Sequence, residues 1–137
     1  MKTKSILLVL ALSIGLFATS CSSDDENEGG TIIPITGKWG IVKVGTNVAG
    51  VETLADPPQN VAGCNHDFLN FKVDNSVEEG DYDGSECVLT TVTGTYSRPD
   101  NQLTIVLEGV TTTYDIVNLT VTDLKLRNGN AISVYKR

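Results

Sequence analysis

The sequence predicts an all-β domain of about eight antiparallel strands in up-and-down order, closed into a barrel. A flattened β-sandwich of two sheets is the alternative. Three observations predict this. Leu103, Ile105 and Leu107 alternate with Thr104, Val106 and Glu108, the period of two of a strand with one buried face. Similar runs follow at 111–119, 124–127 and 131–136 with almost no connecting chain, which reads as an antiparallel meander. No stretch after Cys21 has a convincing helical pattern. Closure removes the exposed edges of such a sheet. Eight strands leave an interior just wide enough for side chains or one small ligand.

Residues 1–20 read as a secretory signal peptide. Lys2 and Lys4 give a basic start, 6–17 is apolar except for Ser13 and Gly15, and Ala18-Thr19-Ser20 is small. The apolar run is shorter than the ~20 residues that span a bilayer. Cys21, directly after the small residues, resembles the cysteine of a bacterial lipobox, with Ala18 where Leu is commoner. That resemblance implies cleavage before Cys21 and lipidation of Cys21. Residues 21–31 then form an acidic, Gly-rich tether with nothing to bury. Ser22 to Gly30 resembles the export tag of surface lipoproteins in the Bacteroidetes group, and Ser22 fits outer-membrane sorting. A plain solvated spacer is the alternative. The implied address is the outer membrane, on the cell surface or the periplasmic face, with the membrane as partner through the lipid.

The formal net charge is −7, and loss of Lys2 and Lys4 leaves 8 basic against 17 acidic residues. An acidic chain repels phosphate backbones, which excludes nucleic acid as a partner. It also argues against docking on anionic membrane surfaces and favours solubility. Of three cysteines, Cys64 and Cys87 remain as a pair if Cys21 carries lipid. Outside the cytoplasm a disulfide between them is permitted. It would close a loop of about two dozen residues, worth about 3 kcal/mol; free thiols are the alternative.

The domain, 32–137, begins with a short apolar lead-in containing Pro34. Gly37-Lys38-Trp39 opens a strand through Val44. Residues 45–63, with Gly50, Asp56 and Pro57-Pro58, read as one long irregular loop, the kind that often forms a lid. The second strand spans 67–73 with Leu69, Phe71 and Val73 on one face, and Asp74-Asn75-Ser76 turns the chain. Residues 77–82 read as a weak, acidic, exposed strand. Residues 86–93 are Thr-rich and run on toward 98. Pro99-Asp100-Asn101 turns into the strand at 103–108, and Gly109 turns into the next. Asn128-Gly129 supplies a type I′ hairpin signal.

Five features, in order, carry a family resemblance over 35–137. They are Ile35-Thr36-Gly37-Lys38-Trp39; Cys64 before Asp67-Phe68-Leu69-Asn70-Phe71; and Cys87. Then come Gly94-Thr95-Tyr96-Ser97 with Asn101-Gln102-Leu103-Thr104, and Leu119-Thr120 with Asp123-Leu124-Lys125-Leu126. The chain resembles the lipocalin-like domain of small bacterial outer-membrane lipoproteins. Gly37-x-Trp39 is similar to the G-x-W signature, and Thr122-Asp123 to the second signature, with Leu124 replacing an aromatic. The resemblance implies that Gly37 and Trp39 plug the closed end of the barrel. It implies a basic residue packed over Trp39, with Arg127, Lys136 and Arg137 as candidates. The domain is shorter than a typical lipocalin, which argues against a roomy cavity.

No catalytic constellation is present. A Ser/His/Asp hydrolase needs an exposed Ser on an elbow such as G-x-S-x-G, which is absent, and His66 is the only histidine. Cys64, His66, Asp67 and Cys87 lack the paired spacing of a zinc site. Glu79, Asp81, Asp83 and Gly84 match part of a calcium loop, but Thr90 stands where a bidentate Glu belongs. Neither metal nor cofactor is expected. Asn118-Leu119-Thr120 reads as a chance sequon. The inward candidates are Leu69, Phe71, Tyr96, Leu103, Ile105, Leu107, Tyr114, Ile116, Leu124, Leu126, Ile132 and Val134. They form a filled core or a small ligand pocket. The expected function is non-enzymatic, with one small apolar (hydrophobic) ligand in the barrel mouth under the 45–63 loop. The pocket residues would be Leu69, Phe71, Tyr96, Leu103, Ile105, Leu107, Tyr114, Leu124 and Leu126. The alternative is a filled barrel acting as an accessory or scaffold subunit beside an outer-membrane protein partner.

Overall fold

The alternating segments become nine strands: β1 (Gly37–Val48), β2 (Val51–Ala55), β3 (Phe68–Phe71), β4 (Ser76–Asp83), β5 (Val88–Ser97), β6 (Gln102–Leu107), β7 (Val110–Leu119), β8 (Asp123–Asn128) and β9 (Ala131–Lys136). This computed structural model describes residues 32–137. The expected signal peptide (1–20) and the expected lipidated Cys21 with its tether (21–31) lie outside the described residues. Every pairing is antiparallel and, from β3 onward, joins sequence neighbours. β9 then pairs back onto β1, from Gly40↔Lys136 to Thr46↔Ala131. On its other edge β1 pairs with β3 over 37–40 and with β2 over 44–48. β2 and β3 therefore share one position, and the sheet closes as an eight-stranded barrel rather than a sandwich.

The 45–63 segment differs from the single loop expected. β1 continues to Val48 and turns back into β2 through Ala49 (φ 50) and Gly50 (φ 84), leaving 56–67 outside the strands. Two consecutive positive φ angles are the I′ hairpin geometry, here without an Asn-Gly or Asp-Gly signal. β2 also leans over the outside of the barrel. A Cβ on Gly45 would lie 1.8 Å from the Thr53 carbonyl oxygen, and Glu52 pairs with Lys125 of β8 at 2.7 Å. Only glycine permits that approach.

Four other expectations change. The β8–β9 turn is centred on Gly129-Asn130, with Asn128 paired to Ala131 and only Gly129 (φ 59) left-handed, as a type II′ turn requires. The second strand stops at Phe71, and Val73 is exposed. There Asp74 Oδ1 accepts hydrogen bonds from the Ser76 amide (3.0 Å) and hydroxyl (2.6 Å), which tightens the turn. The acidic strand is no exposed edge: β4 pairs with both β3 and β5, and Val77 is fully buried. Ile132 and Val134 face outward, because Ser133 and Tyr135 pair with the core residues Leu126 and Leu124. Ile132 is nonetheless buried, opposite Gly45 on the side that β2 covers.

Candidate functional site

The two ends of the barrel differ in construction. At one end Trp39 is completely buried, and its Nε1–H donates to the Ile35 carbonyl at 2.7 Å. The Arg137 guanidinium lies 4.2 Å over the indole. It also donates to the carbonyls of Thr36 (Nη1, 2.7 Å) and Val121 (Nε, 2.6 Å). Of the three basic candidates, Arg137 is the one over the Trp. Gly37 has φ +121, and a Cβ there would lie 3.1 Å from Arg137 Nη1. Glycine thus supplies both the backbone geometry and the room for the guanidinium. Above this plug, Phe71 and Tyr96 meet edge to face at 4.9 Å, and Leu103, Leu124 and Leu126 are fully buried.

The other half of the lumen is not filled. One cavity of about 180 Å³ is lined by Ile41, Val44, Leu69, Glu79, Asp81, Ser133 and Tyr135, with Gln59 and Asp67 from the strap at 56–67. A second of about 280 Å³ is lined by Leu69, Glu79, Ile105, Leu107, Thr112, Tyr114 and Tyr135, with Glu108 and Val110 at its rim. Leu69, Glu79 and Tyr135 belong to both walls, so the two are adjoining lobes of one lumen.

The strap is held by hydrogen bonds that replace missing strand partners. The Ile41 amide donates to the Asp67 carbonyl (2.8 Å), and Asn60 Nδ2 donates to the Ile41 carbonyl (2.9 Å). Asn60 Oδ1 accepts from the Asp67 amide (3.1 Å). Asp67 Oδ1, on a buried side chain, accepts from the Tyr82 amide (2.8 Å), one step beyond the end of β3. The Cys64–Cys87 disulfide joins the strap to the β4–β5 turn, with Cα atoms 5.4 Å apart.

The lumen is acidic. Burial holds the Glu79 carboxyl above its ordinary range, and the charges of Asp81, Asp67 and Glu108 push the same way. Asp81 is raised by burial, then by Asp67 and Asp83. Burial raises the phenols of Tyr114 and Tyr135, and Glu79 adds to both. None of Asp67, Glu79, Asp81 or Glu108 has a salt-bridge partner among the described residues. The eight Lys and Arg side chains of 32–137 are engaged elsewhere. Lys43, Lys72, Lys125, Arg127 and Lys136 pair with Asp56, Glu78, Glu52, Asp115 and Asp123. Lys38 lies over Phe68, Arg98 donates to the Ile33 carbonyl, and Arg137 caps Trp39.

Of the nine expected pocket residues, Leu69, Ile105, Leu107 and Tyr114 line the lumen. Phe71, Tyr96, Leu103, Leu124 and Leu126 form the filled half instead. The polar wall was missed: Asp67, Glu79, Asp81, Glu108, Tyr135. Its signal was the run Val77, Glu79, Asp81, which puts carboxylates on the face of Val77 once that face is known to be buried. Glu79 to Asp83 is regular strand, so the calcium-like spacing forms no loop.

Residues 35–126 match the family described as lipocalin-like domain. The fold is similar to the crystal structure of a lipocalin-like protein from Bacteroides uniformis, with a TM-score of 0.58 and 19% identity, over 74% of this chain and 96% of that one. It is also similar to an uncharacterized protein from Bacteroides eggerthii, with a TM-score of 0.57 and 14% identity, over 74% and 98% of the two chains. No curated protein matches.

Proposed function

Because this chain belongs to the lipocalin-like domain family, we propose that it is a non-enzymatic carrier or sensor that holds one small molecule in the open half of its barrel. The observation that carries this reading is the unfilled, two-lobed lumen above a plugged end. Small-molecule sites are concave, largely pre-formed and lined by apolar groups with a few placed polar ones. Leu69, Ile105 and Leu107 supply the apolar side here, and Glu79, Asp81 and the two tyrosines the polar side. The lobes are at or below the lower end of the usual ~300–1,000 Å³ range, which sets a small metabolite as the upper size. Chemical-shift mapping with a fragment library tests this. Shifts should cluster at Leu69, Ile105 and Tyr114, and vanish in T112W, whose indole fills one lobe. Shifts scattered over the outer surface, or none at all, would reject the reading.

The lipid anchor at Cys21 and the outer-membrane address belong to the same proposal and rest on the N-terminal sequence. Membrane-fraction protein should become soluble in C21S; retention of that variant would count against the anchor. A protein partner is the second reading. It is favoured by β2, an edge strand that exposes Val51 and Leu54.

A further inference from the structure

The lumen combines three features, the first two of which an apolar-ligand barrel does not need. Carboxylates enter its wall from separate elements: Glu79 and Asp81 from β4, Asp67 from the strap and Glu108 from the β6–β7 turn. Among the described residues neither lobe has a Lys, Arg or His in its wall, and the Lys and Arg side chains of 32–137 are committed elsewhere. Apolar and aromatic groups face these carboxylates across the same space. Asp67 is buried and Glu79 half-buried without a counter-charge, which is costly, while Asp81 and Glu108 stand exposed at the mouth and add their repulsion. A cation entering the lumen removes both penalties at once. Aromatic faces add to its attraction.

Resting on the small-ligand reading above, we propose that the lumen selects a small organic cation. Its ammonium group sits between Glu79 and Asp81, and its apolar body lies against Leu69, Ile105 and Leu107. A bare metal ion fits less well, because no three carboxylate, His or Cys side chains among the described residues are arranged to ligate one. An anion would meet four carboxylates. The raised Glu79 carboxyl fits the proposal, since a bound cation would draw it back toward its ordinary range. No ionisable side chain enters either lobe from β1, β3, β5, β6 or β8. Beyond the four carboxylates, the titratable groups facing it are Tyr114 of β7 and Tyr135 of β9.

Calorimetric titration of the whole chain with three probes of matched size tests this: 2-phenylethylamine, 2-phenylethanol and phenylacetate. The amine should bind at least ~10-fold more tightly than the alcohol, a difference of about 1.4 kcal/mol, and phenylacetate should not bind. Amine affinity should fall as the pH is lowered through the carboxylate range. E79Q and D81N should each lose the amine preference while still binding the alcohol. Equal binding of amine and alcohol, or tighter binding of phenylacetate, would overturn the cation assignment and leave the small-ligand reading standing. No binding by any of the three would count against both.

Discussion

At the scale of single residues, Trp39 and Glu79 pull the barrel in opposite directions. Trp39 is fully buried, with its one polar atom satisfied, so W39A should cost about 3–5 kcal/mol in urea unfolding. Removing the guanidinium stacked on it, in R137A, should cost less, about 1–2 kcal/mol. A loss at R137A equal to that at W39A would mean that the plug is built differently. Glu79 destabilises the empty barrel. Its folded state holds a proton more tightly than the unfolded chain does, so its contribution is most favourable below the ordinary value of 4.5 and is lost as the pH rises through the raised value. E79Q should therefore melt higher than the parent at pH 7, with a shallower decline in stability from pH 4 to 7. An unchanged melting profile would show that Glu79 is not strained in the lumen. Such a trade of stability for a polar site is common where binding needs it. Trp39 was legible because a G-x-W at a first strand has one structural meaning. Glu79 was not, because an acidic strand reads as exposed until its pairing on both edges is known.

At the scale of elements, the meander from β5 to β9 was readable because each turn is short and each strand keeps its period of two, apart from a register shift in β7 between Ile116 and Asn118. The β1–β2 hairpin was not. Ala49-Gly50 carries no strong turn signal, and all five β2 residues are exposed, so no alternation marks the strand. Gly45 is the element's constraint: a Cβ there would strike the Thr53 carbonyl. G45V should detach β2 and lower the melting temperature, whereas G50N, in open space and with a residue that tolerates the left-handed φ of +84, should change it much less. The strap at 56–67 is the second such case, since it forms no ladder and is fixed by Asn60, Asp67 and the disulfide. Reduction of Cys64–Cys87 should destabilise the domain by about 3 kcal/mol. It should also speed hydrogen exchange at the Ile41 and Tyr82 amides, which the strap caps. An unchanged exchange rate at both would show that the strap needs no clasp.

At the scale of the whole molecule, closure explains why one half is solid and the other open. The bulky residues Trp39, Phe71 and Tyr96 fall near the plugged end, while carboxylates, Ser133 and Thr112 take inward positions toward the other. Alternation alone placed most inward residues, but it could not say which inward positions pack and which border space. That depends on the stagger of paired strands around the barrel, which no single segment records. The central claim is that this space holds one small molecule. Native mass spectrometry of the whole chain, after incubation with a bacterial metabolite extract, tests it most directly. The account predicts one bound mass that solvent extraction removes and that T112W does not acquire. A spectrum of the free chain alone, or an adduct that persists in T112W, would contradict it.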